Sequence, residues 1–251
     1  MTKAEISFIR SLASRKERYV AGVFVAEGEK LVKELLASSF SVRRVFLCGD
    51  RIQLPQQVPV PTERISPREM ERISLLKTPS DLLAVIEMPV YGNTETFLPK
   101  DWVLALDDVQ DPGNMGTIIR LADWFGIRDI FCSEATVDCF NPKVVQATMG
   151  AIARVRVHYV PLPKFLQRMS SEGIPVYGTF LEGENIYDAE LPATGVLVMG
   201  NEGQGISAAV GQQTTHKLYI PSYPTDAETS ESLNVAVATA VATAEIRRRL
   251  R

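Results

Sequence analysis

Apolar positions along the chain follow two rhythms. Leu31, Val32, Leu35 and Leu36 recur at helical spacing and predict a helix over 29–37. The runs 42–48, VRRVFLC, and 82–86, LLAVI, read as strands. Between them Ser66, Pro67 and Glu69 form a capping box, with a serine N-cap, proline at the first helical position and glutamate at the third. This first part reads α-β-α-β, a small α/β module.

A second series begins after 88–100, MPVYGNTETFLPK, where two prolines and a glycine separate apolar stretches. Strands are expected at 103–106, 127–132, 155–160, 174–179, 196–199 and 217–220. Helices are expected at 117–125 (closed by Gly126), 142–151, 162–169, 206–213 and 233–250. Strands alternating with helices predict a parallel sheet covered on both faces, with ligands bound at the carboxyl ends of strands. The division expected is 1–97 and 98–251. At 251 residues and 45% hydrophobic, either two modest domains or one large one can bury a proper core.

The three cysteines, Cys48, Cys132 and Cys139, are odd in number and form no C-x-x-C pair, which argues against a disulfide framework and a zinc site. Cys132, within Ile130-Phe131-Cys132, reads as a small buried hydrophobe. No window approaches 18 apolar residues, and the N-terminus lacks the apolar core of a secretory signal, so a cytoplasmic protein is expected.

The net charge of −3 does not advertise a nucleic-acid binder. Its distribution is uneven: residues 1–97 carry a balance of +2 and residues 98–251 one of −5. Arg10, Arg15, Lys16 and Arg18 crowd the first 18 residues. Such a face can hold a phosphate backbone or be only a solvated helix surface.

Three loops carry candidate chemistry. The first, 107–120 (DDVQDPGNMGTIIR), follows the strand 103–106. Its Pro and Gly residues give a tight turn, Asn114 can cap the helix that follows, and a helix N-terminus suits an anion. A capped turn with a solvated Arg120 is the plainer alternative. The second, 197–205 (LVMGNEGQG), has its glycines in the order G-x-x-G-x-G, unlike a dinucleotide fingerprint. It fits a flat ligand lying on main chain, or simply a flexible connection; Glu202 is its one carboxylate. The third, 219–235 (YIPSYPTDAETSESLNV), leads into a helix rich in small residues, with Ser232 well placed as N-cap.

Taken together, the three loops resemble the motifs of the SpoU (TrmH) family of SPOUT methyltransferases. The family's N-x-G-x-x-x-R stands here as Asn114 to Arg120, its G-x-E-G as Gly200 to Gly203, and its I-P…S-L-N-V as Ile220-Pro221 and Ser232 to Val235. The resemblance covers about 103–245. One departure is the segment 222–231, SYPTDAETSE, which is longer than the usual family loop and lacks its glycine. Residues 1–97 are similar to the family's accessory L30e-like RNA-binding domain, through Phe24-Val25-Ala26-Glu27-Gly28-Glu29-Lys30.

The resemblance implies an α/β parallel-sheet SPOUT domain with a trefoil knot, a feature outside ordinary connection rules. It also implies a homodimer with active sites near the subunit interface. The implied reaction moves a methyl group from S-adenosylmethionine to a ribose 2′-oxygen of RNA, ribosomal RNA before transfer RNA. Main-chain groups around Met199, Gly200, Ile220 and Leu233 would hold the cofactor, and Thr179 would line the pocket. Arg120 would hold a phosphate and polarise the hydroxyl, because a guanidinium has no acceptor for a proton. Asn114, Glu202, Ser232 and Asn234 would orient Arg120 and the ribose. No metal is expected. A nicotinamide oxidoreductase is disfavoured, since its glycines belong at the first strand. A non-catalytic RNA-binding protein on the same scaffold is disfavoured by the presence of the five polar site residues.

Overall fold

The computed structural model describes residues 1–49, 52, 54, 60–224, 230 and 232–250. They form two compact units. One comprises Met1–Val90 and Asp138–Arg154; the other comprises Tyr91–Val137 and Val155–Arg251.

The first unit begins with α1 (Lys3–Ser11), α2 (Arg15–Ala21), β1 (Val23–Glu27), α3 (Glu29–Leu36), β2 (Val42–Cys48), β3 (Thr62–Ile65), α4 (Pro67–Ile73) and β4 (Leu82–Glu87). Its strand order is β1-β4-β2-β3, with β4 antiparallel to both neighbours and β3 parallel to β2. Helices α1 and α4 each start in a capping box, Thr2 with Glu5 and Ser66 with Glu69, which satisfies amides the helix itself leaves unpaired. Ile6, Ile9, Phe46, Met70, Ile73, Leu83 and Val85 share one buried cluster. Glu27, buried at the end of β1, accepts from Ser74 Oγ at 2.7 Å and Leu75 N at 2.6 Å, fixing the chain after α4.

The second unit holds β5 (Val103–Leu106), α5 (Pro112–Trp124) and β6 (Asp129–Cys132). Next in chain order, α6 (Pro142–Thr148) belongs to the first unit. The expected division at 97/98 therefore differs from the packing on two counts: the change falls at 90/91, and 138–154 leaves the second unit. The reason is non-local pairing that chain order cannot reveal. Arg18, 1% exposed, is locked to the buried Asp138, and the ring of Phe24 lies 4.8 Å from that of Phe140.

The second unit continues with β7 (Arg156–Tyr159), α7 (Leu162–Ser171), β8 (Val176–Asn185), β9 (Val196–Met199), α8 (Ala208–Gly211), β10 (His216–Tyr219) and α9 (Val235–Arg249). Its sheet runs β10-β8-β9-β5-β6-β7, and every described pairing is parallel. Val103 and Ala105 join a cluster with Phe165 and Leu166 of α7, while Leu104 and Leu106 are buried on the opposite face by strand alternation. Both faces of the central strands β5 and β9 are therefore covered, which is why these two read as unbroken apolar runs. Helix α5 packs against α9, and α7 against α8.

Several expected boundaries move for identifiable reasons. Helix α5 starts at Pro112 instead of 117, because Asp111 is its N-cap: the Asp111 side chain accepts from Asn114 N at 2.8 Å. Asn114 is thus inside the first turn and is not the cap. Helix α9 starts at Val235 with Asn234 as N-cap, which displaces Ser232 from that role. Helix α8 is a single turn, capped by Ser207. Strand β8 runs to Asn185, well past the expected end at 179, because its outer half finds a partner in β10.

Candidate active site

The site grows from the register of the two central strands. Leu106 of β5 lies opposite Met199 of β9, so the loops leaving their carboxyl ends start side by side. Asp107 N donates to Met199 O at 2.9 Å, continuing the ladder one step into the loop. Beyond it the two loops separate and are joined by side chains.

Glu202 is the centre of that joining. Its carboxylate accepts from Gln110 N at 3.3 Å, from Asp111 N at 3.2 Å and from Asn114 Nδ2 at 2.9 Å. Burial alone would raise its pKa, but the Asn114 amide and the main-chain N–H groups outweigh that and hold it below the ordinary glutamate value. An ionised carboxylate so occupied serves as an acceptor and an anchor, and is a poor proton acceptor for substrate.

Asn114 passes the connection on. Its Oδ1 accepts from Asn234 Nδ2 at 2.9 Å, while Asn234 Oδ1 accepts from Ala236 N at 3.0 Å and Val237 N at 3.3 Å. The orientation of both amides follows from the ends of the chain. Main-chain donors at the start of α9 require the oxygen of Asn234, so its NH2 faces Asn114. The oxygen of Asn114 is thereby used, and its NH2 faces the Glu202 carboxylate. One residue from each of the three sequence motifs enters this line, across 88 and 120 residues of chain.

The glycine loop has its own closure. Asn201 and Gly205 exchange both main-chain hydrogen bonds at 2.9 Å, and Gly205 takes a left-handed φ of 68°. Gly200 is crossed so closely by the next strand of the loop that an added Cβ would lie 2.2 Å from the Gly205 carbonyl carbon. No other residue fits there without moving backbone. Asn201 Oδ1 accepts from Gly203 N and Gln204 N, both at 2.9 Å, and its Nδ2 donates to Asp108 O at 2.7 Å. Asp107, buried, accepts from Ser207 N at 2.8 Å.

Among the other expected cofactor contacts, Thr179 Oγ1 donates to Val198 O at 3.3 Å and lies 3.7 Å from Met199 Sδ. Met199 is buried, Ile220 half-buried and Leu233 exposed at 48%. Arg120 is exposed on α5, and no hydrogen bond or ion pair holds it among the described residues. Ser232 is likewise exposed. Residues 225–229 and 231 of the departing loop 222–231 lie outside the described residues. No group of three or more His, Cys, Asp or Glu is placed to hold a metal among the described residues.

The basic set at the N-terminus divides. Arg15 and Lys16 are exposed, with the Arg15 guanidinium 5.5 Å from the Tyr19 ring centre, and Arg10 donates to Ser74 O at 3.0 Å. Arg18 does not belong with them. It is buried, paired with Asp138 and donating to Leu12 O and Ala13 O, both at 2.8 Å, so its charge is used inside the unit and cannot meet a phosphate. Sequence reading also passed over Asp111 and Asn201. The dipeptide Asp111-Pro112 was a legible N-cap signal; nothing local marked Asn201.

Comparison with known proteins fits this arrangement. Residues 101–244 match the SpoU rRNA Methylase family, and residues 3–84 match the MRM3-like substrate binding domain. The chain belongs to the SpoU rRNA Methylase family. It is 35% identical over 236 residues to the 23S rRNA (guanosine(2553)-2′-O)-methyltransferase RlmP of Bacillus subtilis, covering 92% of this chain and 91% of that one. A solved structure of a TrmH-family protein from Porphyromonas gingivalis superposes with a TM-score of 0.88 at 40% identity over 99% of both chains. An rRNA methyltransferase from Sinorhizobium meliloti with AdoMet bound gives a TM-score of 0.87 at 27% identity, covering all of this chain and 97% of the other.

Proposed function

We propose that this protein transfers the methyl group of S-adenosylmethionine to a ribose 2′-hydroxyl of ribosomal RNA, at the loops joined by Asn114, Glu202 and Asn234. The observation that carries the reading is that hydrogen-bonded line: three segments remote in sequence are held together by polar side chains at the carboxyl edge of a parallel sheet, where such folds bind ligands. RlmP, similar along both units of this chain, is named for 2′-O-methylation of 23S rRNA, and this favours ribosomal over transfer RNA.

The residues fit the cofactor. The tight crossing at Gly200 keeps side chains out of the base of the loop, and Ile220 and Leu233 offer partly exposed apolar side chains suited to a flat base. Gly200, Met199, Ile220 and Leu233 would hold it, with Thr179 beside Met199. When bound, S-adenosylmethionine supplies a methyl group on a sulfonium. The protein has then to bring a weak nucleophile, the 2′-hydroxyl, into line and stabilise the oxygen as its proton leaves.

Arg120, exposed and without a partner among the described residues, is available to take a phosphate and donate toward that oxygen. Asn114 and Asn234 use their capacity within the network, so their part is to fix the start of α5, on which Arg120 sits. Ser232, exposed and relieved of capping, is free to donate to the substrate.

The same reading includes a homodimer, a C-terminal trefoil knot, a cytoplasmic location and RNA contacts from Arg10, Arg15 and Lys16 on a substrate-binding domain of about 1–97. In support of the dimer, Trp124 stands 84% exposed at the end of α5 and Val237 49% exposed on α9, the helix packed against it. Large apolar side chains in such positions are typical of surfaces covered on assembly.

Incubation with radiolabelled S-adenosylmethionine and transcribed 23S rRNA, with transfer RNA in a parallel reaction, tests the reading. Label should enter rRNA and block alkaline cleavage at one nucleotide, because a 2′-O-methyl group cannot attack the adjacent phosphate. Label entering only transfer RNA, or base atoms in place of ribose, would overturn it.

A further inference from the structure

The loop 201–207 is gripped at both ends by two adjacent residues of the β5 loop. At one end Asn201 Nδ2 donates to Asp108 O at 2.7 Å; at the other Ser207 N donates to Asp107 Oδ2 at 2.8 Å. Asp108 is itself unusual. It is a non-glycine residue at a φ of 57°, a conformation that persists only when its surroundings impose it. The surroundings here are explicit: Asp108 N donates to Ser133 Oγ at 2.9 Å, and Asp108 O receives Asn201. The peptide unit on each side of Asp108 is thus aimed by a partner in another segment.

The side chain of Asn201 does two separable things. Its oxygen closes its own turn by accepting from Gly203 N and Gln204 N, and the two main-chain bonds to Gly205 close the same turn again. Its NH2 contributes nothing to that turn and, among the described residues, reaches only toward Asp108. The loop would therefore form without the NH2 donor. What would be lost is its registration against the β5 loop, on which Gln110, Asp111 and Asn114 meet Glu202.

We propose that Asn201 is a positioning residue for methyl transfer, acting through the hydrogen bond from its side-chain NH2 to the Asp108 carbonyl. It stands between Gly200, where the cofactor's main-chain contacts belong, and Glu202, where the network begins. The tether registers both against the β5 loop. The inference rests on the reading that S-adenosylmethionine binds at the glycine loop.

The discriminating variant is Asn201→Asp. It retains the acceptor oxygen that closes the turn, removes the donor and places a carboxylate oxygen against a carbonyl. Asn201→Ala removes both functions, and Asn201→Ser, too short to reach Asp108, substitutes should either fail to fold. S-adenosylmethionine affinity by calorimetry, melting temperature, and the kcat and cofactor KM on transcribed 23S rRNA are measured on the same preparations. The expected result is that Asn201→Asp behaves like Asn201→Ala: cofactor affinity falls by about tenfold, the worth of one well-aligned hydrogen bond, with the melting temperature close to wild type. The cofactor KM should rise more than kcat falls. Asn201→Asp with wild-type affinity, or losses that merely follow the folded fraction, would overturn the tether while leaving the cofactor reading intact. A wild-type protein that fails to bind S-adenosylmethionine would overturn the reading itself, and the inference with it.

Discussion

Asn234 hydrogen-bonds in two directions at once: its Oδ1 caps α9 and its Nδ2 donates to Asn114 Oδ1 at 2.9 Å. The residue that starts the last helix of the chain therefore also orients a side chain 120 positions earlier. Asn234→Asp separates the two roles. Aspartate caps a helix as well as asparagine does, so stability should hold to within about 0.5 kcal/mol, whereas Asn234→Ala should lose about 1 kcal/mol. Both remove the donor to Asn114, and both should slow methyl transfer. Thermal melts and single-turnover rates on the two variants check this; Asn234→Asp with full activity would show that capping is all Asn234 does.

Arg120→Ala should lower the rate of methyl transfer on the order of 100- to 1,000-fold, the usual cost of removing one preorganised charged donor. Its melting temperature should not move, since Arg120 is exposed and holds no partner among the described residues. Cofactor affinity should change little. A variant that methylates near the wild-type rate would remove Arg120 from the mechanism.

The lowered pKa of Glu202 gives a signed pH dependence. Its folded value lies below the ordinary 4.5, so the carboxylate's stabilising hydrogen bonds are fully present above 4.5 and are lost as pH falls through the lower folded value. The stability difference between wild type and Glu202→Gln should therefore be flat from about pH 5 to 8 and shrink only in more acid solution. Guanidinium unfolding across that range measures it. A difference that disappears between pH 6 and 7 would mean that another group, and not Glu202, governs the network.

The basic residues of the first unit should split into two classes. Replacing Arg10, Arg15 and Lys16 by alanine should weaken RNA binding and reduce its dependence on log salt by at most about 0.9 for each phosphate no longer neutralised. Arg18→Met should act on stability instead, because it strands Asp138 without its cation in a buried setting, at a cost of about 3–5 kcal/mol. Binding isotherms at several salt concentrations, with melting curves beside them, separate the classes.

Titration with S-adenosylmethionine should be unaffected by a chelator, since the proposed site is built from main chain and apolar side chains. Binding that vanishes with chelator and returns with a divalent cation would contradict this.

The elements that sequence determined are those whose causes are local. Strands such as 82–86, 103–106 and 196–199 were legible because a strand buried on both faces must be apolar throughout, and Ser66 because a capping box is an interaction between near neighbours. The three motifs were legible as residue patterns, and their resemblance to the motifs of the SpoU family pointed to the family. Tertiary structure alone decided how those residues are used. It made Asp111 and Asn234 the caps, so that Asn114 was released to face Glu202 and Ser232 was left exposed. It turned Arg18 from a surface charge into a buried one, because its partner Asp138 arrives from 120 residues away. It also gave Asn201 a partner in a loop 93 residues earlier. A side chain's charge and shape are written in the sequence, but its partner is fixed only when distant segments are brought within the reach of a hydrogen bond.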